Sequence, residues 1–331
     1  MLFTIPYNGS NPDDFLKRFE PYKDIIHSFY FGMPGLFISH TQNHCPAEKI
    51  LEFTANTYRF MELCKDKYKT VLCINSMFYP EQDTDLRFKI LKEFSDFSSL
   101  GLTAVNVASP AVAKIVHDYF PRIEIQTSCN TFAYLGNMYR LWHEEFGTTV
   151  FNLPREALRL PNLLTEFKKT GFVSKCILNE TCIFACPAQA EHSCVSMIAP
   201  GAPFFMMCER KNARISDIFK SNFIPPHRLK EYDDRLDIAK IAGRWCSTDW
   251  IENAFKAYRT GDPNVEVSTI MHGRNKHQIE LNHLRVLAKD WPKKTMTCEC
   301  KECGTCQICE KAMLHVAKRC GVNLAQLTRQ I

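Results

Sequence analysis

Five cysteines stand close together near the end of the chain, with one or two residues between successive members. They are Cys298, Cys300, Cys303, Cys306 and Cys309. Ionised thiolates at this spacing repel one another, so the run is typical of a bound metal, and Gly304 eases the tight turns that such ligands need. A structural zinc or a 4Fe-4S cluster would each use four of the five. We therefore predict a second metal site here, zinc or iron–sulfur, that folds the tail.

A second group of cysteines lies in the middle of the chain, just after a short apolar run. Cys182 and Cys186 are four residues apart, and Cys194 and Cys208 follow in the same proline-containing stretch. Two thiolates at that spacing can face one ion or cluster from a turn, and Pro187 ends the turn without offering an amide donor. Four other cysteines are expected to be small buried core side chains instead. These are Cys45, Cys64, Cys73 and Cys176.

The composition indicates the redox compartment in which these thiols are found. The chain has sixteen cysteines in 331 residues, yet its first residues lack the pattern of a signal peptide and no apolar run approaches a membrane span. We therefore expect a protein with no membrane span, in the reducing cytoplasm, whose cysteines are thiols and metal ligands rather than disulfides. The net charge of +5 permits an anionic partner, but no basic tract indicates nucleic-acid binding.

Short apolar runs alternate with amphipathic stretches, which is typical of βα units. Strands are predicted at Leu2–Pro6, Ser28–Phe31, Thr70–Asn75, Ala104–Val107, Ile123–Gln126, Thr149–Asn152, Lys175–Leu178 and Ile238–Ile241. Eight strands favour a (β/α)8 TIM-like barrel, because no glycine-rich phosphate turn follows the first strand as an open dinucleotide-binding sheet requires. A long cysteine-bearing insertion follows strand seven. We predict a barrel at 1–260, a connecting segment at 261–291 and a cysteine-rich metal-binding tail, a small knuckle, at 292–331.

Polar residues follow the predicted strands, where a barrel places its chemistry. Arg155 and Arg244 carry forked donors suited to a carboxylate or phosphate of a substrate, and Glu156 is a further candidate catalytic residue. Arg155 and Glu156 could equally form a salt bridge that closes the barrel rim. Glu180 is a candidate acid or base, or an ordinary helix cap. His192 lies between two cysteines and could contact a cluster or a substrate, or be structural.

Three stretches resemble the collagenase-like peptidase family, peptidase family U32. Ser28–Gly32 is similar to the family's second strand, and Phe151–Glu156 to the end of its sixth strand. Asp237–Arg244, with Lys240, Ile241, Gly243 and Arg244, resembles its Lys-Ile-x-Gly-Arg strand, and the resemblance covers residues 1–260. It implies a barrel that carries an iron–sulfur cluster on four cysteines.

Mapped by order, the resemblance implies a 4Fe-4S cluster on Cys182, Cys186, Cys208 and Cys246, with Cys194 or a tail cysteine as the alternative fourth ligand. The sequence departs from the family's Gly-Ala-Leu-Cys signature, since Asn179-Glu180-Thr181-Cys182 stands there.

The resemblance also implies an activity, since some relatives are similar to oxygen-independent hydroxylases. We therefore expect hydroxylation or a related modification of an aromatic, nucleobase or peptide substrate, so that a small molecule, an RNA or a peptide is open as substrate. A partner of the same family or an electron donor would assist. The alternatives are a non-catalytic accessory or electron-transfer protein, and a peptidase. No common protease motif is present in the sequence.

Overall fold

Eight parallel strands, taken in chain order, close into a barrel in the computed structural model. The model describes residues 1–33, 45–77, 79, 84–198, 214–273, 284–298 and 305–323. The strands are β1 Leu2–Pro6, β2 Ile26–Phe31, β3 Thr70–Ile74, β4 Ala104–Val107, β5 Glu124–Thr127, β6 Val150–Asn152, β7 Val173–Ile177 and β8 Ile238–Lys240. Each pairs with the next, and β8 pairs with β1 to close the ring. The predicted (β/α)8 TIM-like barrel is confirmed.

Helices connect the strands around the outside of the barrel. They are α1 Pro12–Phe19, α2 Ile50–Cys64, α3 Thr84–Ser99, α4 Pro110–Tyr119, α5 Gly136–Phe146, α6 Pro161–Lys168, α7 Gln189–Ile198, α8 Thr248–Thr260 and α9 Ile308–Arg319. Local signals explain several boundaries. Asn11 caps α1 and Ser247 caps α8 through side-chain oxygens, and α8 ends at Gly261 in the left-handed conformation. None of the helices that the model describes is both long and apolar enough to cross a bilayer.

The main hydrophobic core lies between the strands and the surrounding helices. Near β1 it is built on aromatic rings: Tyr7 stacks on Phe60 with 3.9 Å between ring centres, and Phe15 packs edge-on against Phe29. A separate small cluster contains Tyr30 and Cys73. Since side chains alternate along a strand, this cluster belongs to the inner side of the barrel, where buried polar groups are also found. Buried polar groups therefore occupy part of the barrel interior.

The chain between β7 and β8 makes a long excursion over the carboxyl ends of the strands. It carries α7 and two 3₁₀ helices, Ile215–Lys220 and Pro226–Tyr232. Its outgoing and returning parts are hydrogen-bonded to each other, because Asn222 donates to the Cys182 carbonyl and Phe184 to the Lys220 carbonyl, both at 2.8 Å. The Cys182 loop therefore has a defined backbone position above the barrel.

Residues after α8 pack back onto the barrel. The His272 amide donates to the Asn179 carbonyl at 2.6 Å, which holds the connecting segment against the end of β7. Helix α9 contacts the 3₁₀ helix Ile215–Lys220, and its Met313 and Val316 belong to the main core. The division into a barrel, a connecting segment and a tail stays a prediction, although part of the tail shares the barrel's core.

Candidate active site

A cavity of about 470 Å³ opens at the carboxyl ends of the strands. We call it the mouth cavity. Its lining includes Tyr30, Cys129, Arg155, Glu180, Lys240 and Arg244. These residues come from β2, β8 and the loops after β5, β6, β7 and β8, which is the edge where barrels of this class carry their functional groups. The structure thus brings Arg155, Glu180 and Arg244, three of the predicted site residues, to the same cavity.

An ion pair between Arg155 and Glu180 forms one wall of the mouth cavity. Arg155 Nε lies 2.7 Å from Glu180 Oε2, and the two side chains are only 12% and 14% exposed. The N–H is not aligned with the oxygen, so both buried atoms keep unused hydrogen-bonding capacity. Arg155 also donates to Asn130 Oδ1 at 2.8 Å, and Asn130 donates to the Asn75 carbonyl at 3.0 Å. This chain of contacts fixes the guanidinium in one place.

The electrostatics of Arg155 favour its charged form. Burial alone lowers the pKa of the guanidinium, but the neighbouring Cys129, Glu180 and Cys182 raise the pKa above its ordinary value. The rim salt bridge considered in the sequence analysis therefore exists with a different partner, Glu180 instead of Glu156. Arg155 therefore contacts Glu180 in the site and not Glu156, its neighbour in the sequence.

Lys240 and Tyr30 form the floor of the mouth cavity. The Lys240 ammonium lies 4.4 Å from the centre of the Tyr30 ring and 3.5 Å from Asn152 Oδ1, and the residue is only 7% exposed. The Tyr30 hydroxyl donates to the Ile241 carbonyl at 2.7 Å, which holds the ring under the ammonium. Sequence reasoning did not select Lys240 as a site residue. A lysine inside a short buried strand was the available signal, since lysine is almost never buried without a partner.

The loop after β8 carries the aromatic and cationic side of the cavity. The Arg244 guanidinium lies 4.8 Å from the Trp245 ring centre and 5.7 Å from that of Tyr30. Gly243 precedes it with φ of +130°, and a Cβ there would come within 2.5 Å of the Trp250 ring. Only glycine fits this position, so the Gly-Arg pair is required by close packing as well as by backbone conformation. The result is a cation beside flat apolar surfaces, suited to a planar anionic ligand.

Cys129 is a thiol of the mouth cavity that the sequence analysis missed. It follows β5, is 7% exposed and lies 3.7 Å from Asn130 Oδ1. Burial raises the pKa of the thiol above its ordinary value, and Glu180 also raises it, while Arg155 and Lys240 act in the opposite direction. The thiol form is therefore favoured until an added positive charge or ligand changes the balance.

Glu156 and Cys186 lie outside the mouth cavity. Both line a groove of about 440 Å³ beside Phe184. Glu156 is 3% exposed and accepts a hydrogen bond from the Tyr134 hydroxyl at 3.0 Å. The chain therefore turns two consecutive residues, Arg155 and Glu156, into different pockets.

The other predicted barrel-site residues are spread over several surfaces. His192, an exposed residue of α7, lines the mouth cavity, and Cys246 lines both that cavity and an adjoining groove beside Cys45. Cys194 lies further along α7, and Cys208 falls outside the described residues. No disulfide joins the cysteines that the structure describes.

The described thiols do not complete a ligand set for a cluster. Within the described part of the chain, no three His, Cys, Asp or Glu side chains are grouped closely enough to hold a metal ion. Cys182, Cys186 and Cys246 would need Cys208 or another ligand, as well as a rearrangement that brings them together. The predicted 4Fe-4S cluster at these residues stays a prediction.

The cysteine-rich tail is described only in part. Cys298, Cys306 and Cys309 are within the described residues, and Cys300 and Cys303 lie outside them. Cys309 is 8% exposed and belongs to the main core, and helix α9 begins one residue before it. The predicted zinc or iron–sulfur site of the tail therefore remains a prediction too.

Arg159 joins the tail to the long insertion and was not recognised in the sequence. It is fully buried, donates to the Lys220 and Cys298 carbonyls at 2.6 and 2.7 Å, and lies 4.2 Å from the Phe184 ring centre. One buried guanidinium thus holds three separate segments. Its position within an ordinary-looking Leu-Arg-Leu stretch gave no sign of this role.

No family model matches the chain. An uncharacterised protease of Methanocaldococcus jannaschii is 25% identical over 174 residues, which cover 50% of this chain and 52% of that protein. The chain thus spans about half the length of this curated relative.

Among solved structures, a U32 peptidase superposes with a TM-score of 0.47 at 10% identity, over 73% of this chain and 93% of the other. A proposed dehydratase from Mesorhizobium loti gives 0.38 at 9% identity, over 74% and 55%. With the Lys240–Arg244 motif in place on a closed barrel, the similarity to the archaeal protease supports the predicted assignment of the chain to the U32 collagenase-like peptidase family.

Proposed function

We propose that the protein is an enzyme that modifies a planar substrate held in the mouth cavity. The observation that carries this proposal is that the Arg155–Glu180 pair, Lys240 and Arg244 line one cavity of about 470 Å³. An accessory protein would have no need to keep a buried carboxylate with unused hydrogen-bonding capacity beside an open cavity. Concave sites with a few convergent polar groups are the usual form of small-ligand sites.

Each group has a task in this proposal. Tyr30 and Trp245 offer flat surfaces for a planar ring, and Lys240 and Arg244 attract its anionic substituent. Glu180, held in place by Arg155, accepts a proton from the bound substrate or returns one to it. The fixed geometry of Arg155 keeps this carboxylate in position, because Asn130 and the Asn75 carbonyl hold the guanidinium from behind.

The reaction that we propose is oxygen-independent hydroxylation, or a related modification, of an aromatic, nucleobase or peptide substrate. The support is the family resemblance together with the cationic and aromatic lining of the mouth cavity. The proposed cofactor is a 4Fe-4S cluster, which would supply redox chemistry, and its support is the family resemblance together with the Cys246 thiol that lines the mouth cavity. Hydroxylation with water as the oxygen source replaces a C–H bond by a C–O bond and releases two electrons and two protons, so an electron-accepting partner would be needed.

The test compares Glu180→Gln with a matched control, Glu156→Gln. Both glutamates are shielded from solvent, but only Glu180 lines the mouth cavity. Cells that express each protein without oxygen are analysed by mass spectrometry for RNA nucleosides and aromatic acids that gain one oxygen atom. We expect the gain with the wild type and the control and its loss with Glu180→Gln. Equal products from all three proteins, or peptide hydrolysis that requires Glu180, would overturn the proposal.

A further inference from the structure

Two lysine ammonium groups lie inside the barrel without a carboxylate in contact among the described residues. Lys240 is 7% exposed and lines the mouth cavity, and Lys175 is 1% exposed. The contacts of Lys240 are the Tyr30 ring and Asn152 Oδ1, and Lys175 donates to Gln126 Oε1 at 2.6 Å. Charges this deep are normally paired, because burial without a counter-charge is costly. An unbalanced positive charge beneath an open cavity therefore points to a negatively charged ligand.

The two lysines are stacked along the barrel axis on neighbouring strands. In the β7–β8 pairing, Lys240 is level with Ile177, and Lys175 lies two residues earlier on β7. At about 3.3 Å per residue, Lys175 is one layer, or roughly 7 Å, below Lys240. Gln126, which accepts the hydrogen bond from Lys175, is itself held in place because its side-chain amide donates to Glu124 Oε1 at 2.7 Å. Lys240 lines the mouth cavity and Lys175 is not among its lining residues, so Lys175 would act on a bound ligand through the electric field of its charge.

We propose that Lys240 binds an oxyanion of the substrate, and that Lys175 is a positioning residue whose positive charge strengthens this binding. The inference rests on the proposed function, because it takes the mouth cavity as the substrate site and names the class of substrate: a planar molecule with a carboxylate. Lys240 would contact the carboxylate, with the ring against Tyr30 and Trp245.

The affinity for such an anion should depend on pH through Lys175. Burial lowers the pKa of Lys175 to about 7, and Lys240 on β8 lowers it as well. The opposing groups are Glu124 on β5 and Cys73 on β3, and Lys69 before β3 again lowers the pKa. The remaining facing group is His27 on β2, whose own pKa burial lowers to about 4. Lys175 is therefore charged below about pH 7 and neutral above it, so that the anion is held more tightly on the acidic side.

The test measures binding of benzoate and of its neutral counterpart benzamide by the fluorescence of Trp245 and Trp250, which line the mouth cavity. Benzoate stays ionised across the range used, as carboxylates with an ordinary pKa do. We expect the wild type to bind benzoate about tenfold more tightly than benzamide at about pH 6. The benzoate affinity should fall roughly tenfold by about pH 9, while that for benzamide stays constant.

Two variants separate the roles of the lysines, with the exposed Lys17→Met as a matched control. Lys240→Met should abolish the preference for benzoate, and Lys175→Met should lower it and remove the part of the pH dependence that this residue causes. Methionine is close in volume to lysine and apolar, so both variants are expected to fold.

Each contrary result points to a different error. Equal binding of both probes would overturn the oxyanion site at Lys240 and leave the mouth cavity as a site for a planar ligand. Binding of neither probe would overturn both the oxyanion site and the planar-ligand site. An unchanged pH dependence in Lys175→Met would overturn the role proposed for Lys175.

Discussion

Replacing Lys175 by methionine should stabilise the protein, and the gain should shrink as the pH rises. In the folded chain the pKa of Lys175 falls from its ordinary 10.5 to about 7, chiefly through burial. Between these two pH values, the unfolded chain holds a proton that the folded chain has lost. Unfolding therefore takes up a proton, and the free energy of unfolding of the wild type rises with pH across this window.

The size of the effect follows from the same shift. At about 1.4 kcal/mol for each pH unit, the buried charge costs the folded state about 5 kcal/mol at and below pH 7. Methionine removes this cost but leaves Gln126 Oε1 without the 2.6 Å bond from Lys175, a loss of about 1–3 kcal/mol. The net expectation is a variant more stable than the wild type by about 2–4 kcal/mol at pH 7, with little or no advantage near pH 10.

The assay is urea unfolding followed by circular dichroism at a series of pH values, in the presence of a thiol reductant. The quantity of interest is the difference in free energy of unfolding between wild type and variant, because titration of the other groups is common to both. Lys17→Met, an exposed helical lysine, serves as the control and should show no trend with pH. Parallel curves for wild type and Lys175→Met from pH 7 to 10 would refute the reasoning.

Three further predictions concern the insertion and the tail. Arg159→Met should lower the free energy of unfolding by about 3–5 kcal/mol in urea titrations, because three backbone carbonyls lose a charged donor. Cys182→Ala and Cys186→Ala should each lose iron and sulfide on anaerobic purification if the predicted cluster exists, while Cys73→Ala, a buried strand residue, should keep both; equal retention would contradict the ligand assignment. Truncation from Pro292 should lower the free energy of unfolding by about 5 kcal/mol, since Met313 and Val316 leave the core.

The barrel was predictable because its signals are local. Strand runs such as Thr70–Ile74 and Ala104–Val107 are apolar and flanked by helix-like stretches. Every observed strand end lies within two residues of the predicted one. Closure follows from eight such units of similar length. Helices α1 and α7 were not assigned from the sequence, because at eight and ten residues they offer only two to three turns in which a periodic pattern can be recognised.

The candidate site was only partly predictable, since contacts across the mouth cavity depend on loop geometry. The positions of Arg155 and Glu180 after β6 and β7 predicted a common mouth, but their pairing depends on how each loop leaves its strand. Glu156 turns away because its carboxylate is held by the Tyr134 hydroxyl, a contact over twenty-two residues that no spacing rule shows. The lysine in a buried strand was a signal for Lys240, but the strand pattern alone does not show that its side chain lines a cavity formed by loops of other strands.

The contact between Arg159 and the Cys298 carbonyl has a consequence for the order of events during synthesis. A ribosome delivers the strands of the barrel first, and domains begin to fold while the chain is still growing. Arg159 donates to the Lys220 carbonyl, which also accepts from the Phe184 amide of the Cys182 loop, but its bond to the Cys298 carbonyl forms only after residue 298 has emerged. The Cys182 loop therefore gains this support only after all eight strands of the barrel, which lie before residue 241, have been synthesised.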